Sequence, residues 1–290
     1  MQISVVIPSY NQPETVQRCI GSILEQDFGG TYEIIIADSS DKRKQDELAA
    51  FCATIPKVQL IPLEKQTFPG SARNIGIKAA QGEVIALIDS DCVAKPNWLE
   101  NIWKNMEHNV ILTGVIENGT EDSVYGTCSF LVEFNHFLDF SGHKVPAHAA
   151  ATCNFACRKE VFDKIGYFTD DRAFEDMLFC KKFTDQGGQI FRINGIRIAH
   201  LNKTDLAGIR RNQTMLGKFS AIVRRAHGMP PQLVFKLPIL AFALAKFRYL
   251  SIFSRVIRSK YWAKFLLYTP VILYLLVHWS KGFYTGAKRS

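Results

Sequence analysis

Gly82-Glu-Val-Ile-Ala-Leu-Ile-Asp-Ser-Asp91 contains the most apolar short run in the chain, Val84 to Ile88, closed at its far end by two carboxylates. An unbroken apolar run of this length predicts a strand buried on both faces, since a strand at a sheet surface would alternate. Gly82 ends a helix expected from about Ser71 to Ala80. The same pattern stands upstream. Ile3–Ile7 is a short apolar run followed by Pro8-Ser-Tyr-Asn11, and Tyr32–Ala37 is followed by Asp38-Ser39-Ser40-Asp41. Between them Pro13 suits the first turn of a helix with apolar positions at Val16, Cys19, Ile20, Ile23 and Leu24. A polar helix over 42–54 and a strand at Val58–Ile61 complete the alternation. Strand, helix, strand, helix predicts an α/β fold, Rossmann-like, with a mostly parallel sheet and helices on both faces. Ligands of such sheets bind beyond the carboxyl ends of the strands. Here those ends carry Pro8 to Asn11, Asp38 to Asp41, and Asp89-Ser90-Asp91.

Further along, the periodicity predicts a strand at Val110–Glu117, a helix near 123–138 and an apolar segment at Ala149–Cys157. A helix from near Phe174 ends before Gly187-Gly188, and a strand pair covers 189–200. From Thr204 to about His227 the pattern is helical and basic. Two apolar blocks follow, Leu237–Ala245 and Phe265–Trp279. This divides the chain into a body over 1–205 and a basic, helical, membrane-associating region over 206–290.

The charge divides the same way. The 290 residues carry a net charge of +8. Residues 203–290 hold 16 Lys or Arg against the single acid Asp205, while residues 1–202 hold 19 basic and 26 acidic residues. A basic and apolar tail on an acidic body points to an anionic membrane surface, not to nucleic acid. Phe265–Trp279 is 15 residues long, about 22 Å as a helix, against a hydrocarbon core of ~30 Å. Helices lying in the interface, anchored by Trp, Tyr, Lys and Arg, fit better than a clean crossing. A shallow hairpin and a helix packed on the body stay open. The apolar run at the N-terminus is too short for a signal peptide. Seven scattered cysteines suit a reducing compartment, and Cys153 and Cys157 lack a second pair for zinc. The expected location is the cytoplasmic face of the cell membrane.

Asp89 and Asp91, on a loop leaving a buried strand, form a hard oxygen site suited to Mn²⁺ or Mg²⁺. A bare Asp-x-Asp is also common in solvated turns, so the strand context and Asp38 on a neighbouring strand end carry the reading. Four motifs in order, Val5-Val-Ile-Pro-Ser-Tyr-Asn11, Ile35-Ile-Ala-Asp-Ser-Ser-Asp41, Gly70-Ser-Ala-Arg-Asn-Ile-Gly76 and Gly82 to Asp91, resemble the family 2 glycosyltransferases. Their nucleotide-sugar domain is called GT-A, and the resemblance covers about residues 2–205. It implies an inverting transferase using a nucleotide-activated sugar and a divalent metal. On the matching positions Pro8 and Tyr10 shape the nucleotide pocket, and Asp38 holds the base or ribose. Arg73 lines the donor site, Asp89 meets ribose or metal, and Asp91 holds the metal on the diphosphate. Many members have a second acid after the position of Asp38, where this chain has Ser39.

Phe174-Glu175-Asp176-Met177 opens a helix, where acids are ordinarily favoured by the dipole alone. Its place after Asn154-Phe-Ala-Cys-Arg158 and Gly166-Tyr-Phe168 resembles the family's acceptor segment followed by its Glu-Asp motif. That carries Asp176 over as general base, with Asn154 and Glu175 toward the acceptor. An attacking hydroxyl must lose a proton, and a positioned carboxylate contributes typically ~10²–10⁴-fold. His200, after a strand, is a third candidate metal ligand. The implied activity is transfer of a sugar, from a UDP-sugar by preference, to a surface-glycan or lipid-linked hydroxyl. A polyprenyl-phosphate sugar synthase is the alternative enzyme, and a non-catalytic nucleotide-sugar scaffold is disfavoured by the full set of acids. No Gly-x-Gly-x-x-Gly follows the first strand, which excludes a dinucleotide-binding domain.

Overall fold

The computed structural model describes residues Met1 to Lys288, and the chain divides into two compact units. The first comprises residues 1–117 and 139–199; the second comprises 118–138 and the chain from 200 onward. The division is therefore not a single cut at 205, because a helix from the middle of the sequence packs with the C-terminal helices.

In the first unit the order is β1 (Ile3–Ser9), α1 (Pro13–Leu24), β2 (Tyr32–Asp38), α2 (Lys42–Cys52), β3 (Val58–Pro62), α3 (Pro69–Ala79), β4 (Val84–Ile88), β5 (Cys92–Ala94) and α4 (Trp98–Asn105). β6 (Val110–Asn118) leads out of this unit through α5 (Val124–Phe134). The chain returns with β7 (Lys144–Ala147), β8 (Asn154–Arg158), α6 (Glu160–Ile165), α7 (Glu175–Asp185) and β9 (Gln189–His200). One sheet runs β3-β2-β1-β4-β8-β6-β9-β5, with β7 paired to β9.

The first four strands of that order are parallel, as the alternation of strands and helices requires. The rest corrects the expectation of a mostly parallel sheet. β8 runs antiparallel to β4, with Asn154 opposite Ile88 and Arg158 opposite Val84, and antiparallel to β6 as well. No helical crossover feeds β8. The chain enters it beside the finishing end of β4 and runs back, so the sheet is mixed. The anticipated strand pair at 189–200 is one continuous twelve-residue strand.

Successive side chains of the strands point to opposite faces, and both faces are covered. Val6, Ile35, Ile85 and Leu87 share a core with Ile77 of α3, Phe162 of α6 and Phe179 and Phe183 of α7. Their alternates Val5, Ile7, Ile34, Ile36, Ala86 and Ile88 are fully buried on the other face. There Tyr32 donates its hydroxyl hydrogen to the carbonyl of Ile23 on α1, and Trp98 of α4 reaches β8.

The second unit is helical: α5, then α8 (Leu206–Ala226), α9 (Gln232–Lys236), α10 (Ala241–Val256), α11 (Trp262–Leu267) and α12 (Thr269–Lys288). α8 and α12 meet at contact distance. A Cβ on Gly217 would lie 1.9 Å from the carbonyl oxygen of Trp279, and one on Gly282 would lie 2.0 Å from that of Thr214. Ala221, Val234, Ala241, Trp279, Phe283 and Ala287 form the core. The apolar block Phe265–Trp279 is thus two helices, with Pro270 in the first turn of α12, where its missing N–H leaves no bond unmade. Among the described residues no helix is long and apolar enough to cross a membrane.

Candidate active site

A cleft of about 200 Å³ lies past the carboxyl ends of β1 and β4, where the parallel part of the sheet presents its loops. It brings together Pro8 and Tyr10 after β1, Arg73 of α3, and Asp89 and Asp91 after β4. Those are five of the residues the sequence pointed to. Ser90, between the two acids, and the entry to α3 at Pro69 line it too, and the sequence reading gave neither a role. Pro69 had a signal in the Pro-Gly pair that starts α3.

Helix α3 sets the position of Arg73. A Cβ at Gly76 would fall 2.5 Å from Val6 Cγ1, so glycine lets the helix lie close on β1. At its other end a Cβ on Gly70 would meet the carbonyl of Thr169 at 2.7 Å. Asn74 clasps the same loop in both directions. Its Nδ2 donates to the Phe168 carbonyl at 2.8 Å, and the Phe168 N–H donates to its Oδ1 at 3.1 Å. Ser71 Oγ donates to Asp170. These contacts tie the segment before α7 to the helix that carries Arg73.

Arg73 is buried and spans two carboxylates. Nη2 donates to Asp89 Oδ1 at 2.5 Å and Nη1 donates to Glu175 Oε1 at 2.7 Å. Burial alone would lower its pKa; Asp89 and Glu175 outweigh that and hold the guanidinium firmly charged. Glu175 is itself buried. This corrects the expectation that Glu175 faces the acceptor: its carboxylate is turned inward to Arg73.

Asp176 follows directly, in the first turn of α7. Burial pushes its carboxyl from an ordinary 3.8 up to about 7, and the neighbouring Glu175 charge adds to the rise. The Met177 N–H, donating to Oδ1 at 2.7 Å, and the Arg73 charge both oppose it. The residue before the pair, Phe174, holds a left-handed backbone with φ of +71°. A bulky residue adopts that region only when its surroundings compel it, at a cost of about 1–2 kcal/mol. Here the turn aims Glu175 at Arg73 and sets Asp176 beside it.

Two other expectations are corrected by burial. Asn154 is fully buried, and its amide is engaged on both sides. Its Oδ1 accepts from Trp98 Nε1 at 2.9 Å, and its Nδ2 donates to the carbonyls of Val115 and Ile196, both at 3.2 Å. It knits α4, β6 and β9 to β8 and does not face an acceptor. Asp38 is likewise fully buried, and Ser40 Oγ donates to its Oδ1 at 2.6 Å. It braces the Asp38–Asp41 turn and is not one of the cleft-lining side chains. His200 closes β9 and begins the second unit, where its ring lies 4.5 Å from that of Phe134.

The cleft therefore offers Asp89, Ser90 and Asp91 on one loop, an all-oxygen donor set of the kind hard divalent cations take. Beside it stand a fixed guanidinium and, beyond that, a carboxyl whose proton comes off near neutrality.

The model of glycosyl transferase family 2 matches residues 4–166. Glycosyltransferase AglE of Haloferax volcanii is 26% identical over 192 residues, covering 64% of this chain and 62% of AglE, less than two thirds of that protein. Glycosyltransferase GlyG of Streptococcus pneumoniae is 24% identical over 205 residues, covering 66% of this chain and 68% of GlyG. Among solved structures, the mannosyltransferase PcManGT of Pyrobaculum calidifontis, in complex with GDP-Man and Mn²⁺, superposes with a TM-score of 0.65 at 16% identity. That superposition covers 97% of this chain and 86% of the other. GalNAc-T7 with UDP, GalNAc and Mn²⁺ gives 0.57 at 19% identity over 79% of this chain and 52% of the other. These similarities establish a shared fold.

Proposed function

The chain belongs to glycosyl transferase family 2, and on that premise we propose that it transfers one sugar, with inversion, from a nucleotide-diphosphate donor to a hydroxyl of a surface-glycan or lipid-linked acceptor. The observation that carries this reading is the Arg73 bridge, which links the donor cleft through Asp89 to the Glu175-Asp176 pair. Pro8 and Tyr10 flank the nucleotide, a UDP-sugar by preference. Asp89 and Asp91 hold Mn²⁺ or Mg²⁺, which when bound neutralises charge on the diphosphate leaving group. The neighbouring structures that contain GDP-Man or UDP together with Mn²⁺ support a nucleotide donor and a divalent metal.

Asp176 takes the proton of the acceptor hydroxyl. The oxygen forms its bond to the anomeric carbon on one face as the bond to the nucleoside diphosphate breaks on the other. A base works best with a pKa near the operating pH, and the raised carboxyl of Asp176 meets that condition. The inward-facing Arg73–Glu175 pair keeps this base in place.

The second unit seats the enzyme on an anionic membrane, at the cytoplasmic face. Large apolar side chains such as Leu237, Ile239, Phe247, Trp262 and Leu267 are more than half exposed there, among the basic residues of the same helices. Such helices lie in the interface instead of crossing it.

A donor panel tests the catalytic reading. With Mn²⁺ present, one nucleotide sugar should release its nucleoside diphosphate well above the others. Asp91→Ala should remove the Mn²⁺-dependent part of nucleotide affinity measured by calorimetry. Unchanged Mn²⁺-dependent affinity in that variant would sink the metal assignment.

A further inference from the structure

The second unit has a cavity of its own, about 150 Å³, between α10 and the end of α5. Glu133, Asn135, His136, Arg248, Ser251 and Arg255 are among the residues that line it. Positions 248, 251, 252 and 255 are spaced to share one face of α10, so the helix sends two guanidiniums into the same space. Arg248 Cζ stands over the Trp279 ring, 4.0 Å from its centroid, and its buried Nη1 has no hydrogen-bond partner. Arg255 Nη1 donates to Asn135 Oδ1 at 3.1 Å and to Ser251 Oγ at 2.9 Å, which fixes it at the wall.

Among the described residues that line the cavity, two guanidiniums face one carboxylate. Burial pushes the Arg248 pKa down to about 10; Glu133 opposes the fall and the Arg224 charge adds to it. Glu133 is the opposing carboxylate, and its Oε1 is occupied by Ser129, Asn212 and Gln213. Buried charges are ordinarily paired, because desolvation without a partner is costly. A fork of N–H donors with surplus positive charge, in a cavity several times the ~30 Å³ of a water molecule, is the recognition chemistry of a tetrahedral oxyanion.

We propose that this cavity binds a phosphate group, and that the group is the headgroup phosphate of an anionic lipid. Phe247 and Leu250 point to the lipid source. They belong to the same helix α10 and are 68% and 52% exposed, apolar surface of the kind that enters a lipid interface. A soluble phosphate would need no such apolar surface. The phosphate site stands apart from sugar transfer, and only its lipid source rests on the membrane reading above.

The test uses the full chain and the emission of Trp279, over which Arg248 stands. Three probes are titrated: inorganic phosphate, phosphatidylcholine vesicles carrying phosphatidylglycerol, and vesicles carrying oleate at the same surface charge. The phosphatidylglycerol vesicles should bind roughly tenfold tighter than the oleate vesicles, as one charge-assisted contact implies. Arg248→Gln should erase that preference while leaving the weaker binding common to both. Should Arg248→Gln fold poorly, Ser251→Asp places a carboxylate between the arginines and should erase the preference in a folded protein, as judged by circular dichroism. Equal affinity for the two anionic vesicles, with Ser251→Asp unchanged, overturns the site. Saturation by inorganic phosphate with no vesicle preference overturns the lipid source. Loss of nucleoside diphosphate release in the wild type would bear on the sugar-transfer reading alone.

Discussion

Arg73 Nη1 donates to Glu175 Oε1 at 2.7 Å, joining two residues 102 positions apart. The bond turns α7 toward the cleft, so a helix far along the sequence delivers its first-turn carboxylates beside loops set by the N-terminal strands. Both side chains are buried, 3% and 8% exposed.

Removing the cation should therefore be expensive. Arg73→Met leaves Glu175 and Asp89 without their shared partner and repelling each other and Asp176. Breaking a buried ionic group in this way costs about 3–5 kcal/mol. Urea unfolding should show a loss of that order. Arg73→Lys should recover only part of it, because an ammonium lacks the planar fork that reaches two carboxylates at once.

The Asp176 carboxyl gives the pH dependence. A base must be ionised, so kcat/KM should fall about tenfold per pH unit below about pH 7 and level off above it. Glu175→Gln removes one of the charges that raise this carboxyl, and should move the inflection to lower pH. Stability runs the other way. The folded carboxyl keeps its proton between about pH 4 and pH 7, where the unfolded chain has lost it, so the free energy of unfolding should fall as pH rises through that window. Asp176→Asn should flatten that slope. An inflection unmoved by Glu175→Gln would place the titration elsewhere.

Much of this site was legible in the sequence, for a physical reason. Buried parallel strands must be apolar throughout, so the acids and prolines at their ends stand out, as at Ile7-Pro8 and Ile88-Asp89. Strand direction was not legible in β8, because Asn154–Arg158 is a short apolar run whose partners lie far away in the chain. The expected strand pair at 189–200 is a single strand, although Asn194-Gly195 inside it is ordinarily a hairpin signal. The strand continues through it because Gly195 packs closely on Asn101, where a Cβ would stand 2.5 Å from Oδ1. Glu175 was read toward the acceptor since nothing in its sequence neighbourhood reveals Arg73 as its partner.

Asn154 tests that limit directly. Its amide joins Trp98, Val115 and Ile196 inside the body. Asn154→Ala leaves a buried indole N–H and two carbonyls without that amide, each at about 1–3 kcal/mol if unsatisfied. Thermal unfolding should drop markedly, while the acceptor KM of the protein that remains folded stays unchanged. A selective rise in acceptor KM with intact stability would restore the acceptor role.

The central claim is that Asp176 is the base of a glycosyl transfer. The most direct measurement is the turnover of the preferred nucleotide sugar by Asp176→Asn beside the wild type, with donor affinity measured on the same samples. Loss of a base acts on the transition state and not on ground-state binding. Turnover should fall by ~10²–10⁴ while the donor dissociation constant stays within a few-fold. Turnover within a few-fold of wild type, at equal donor affinity, would contradict the account.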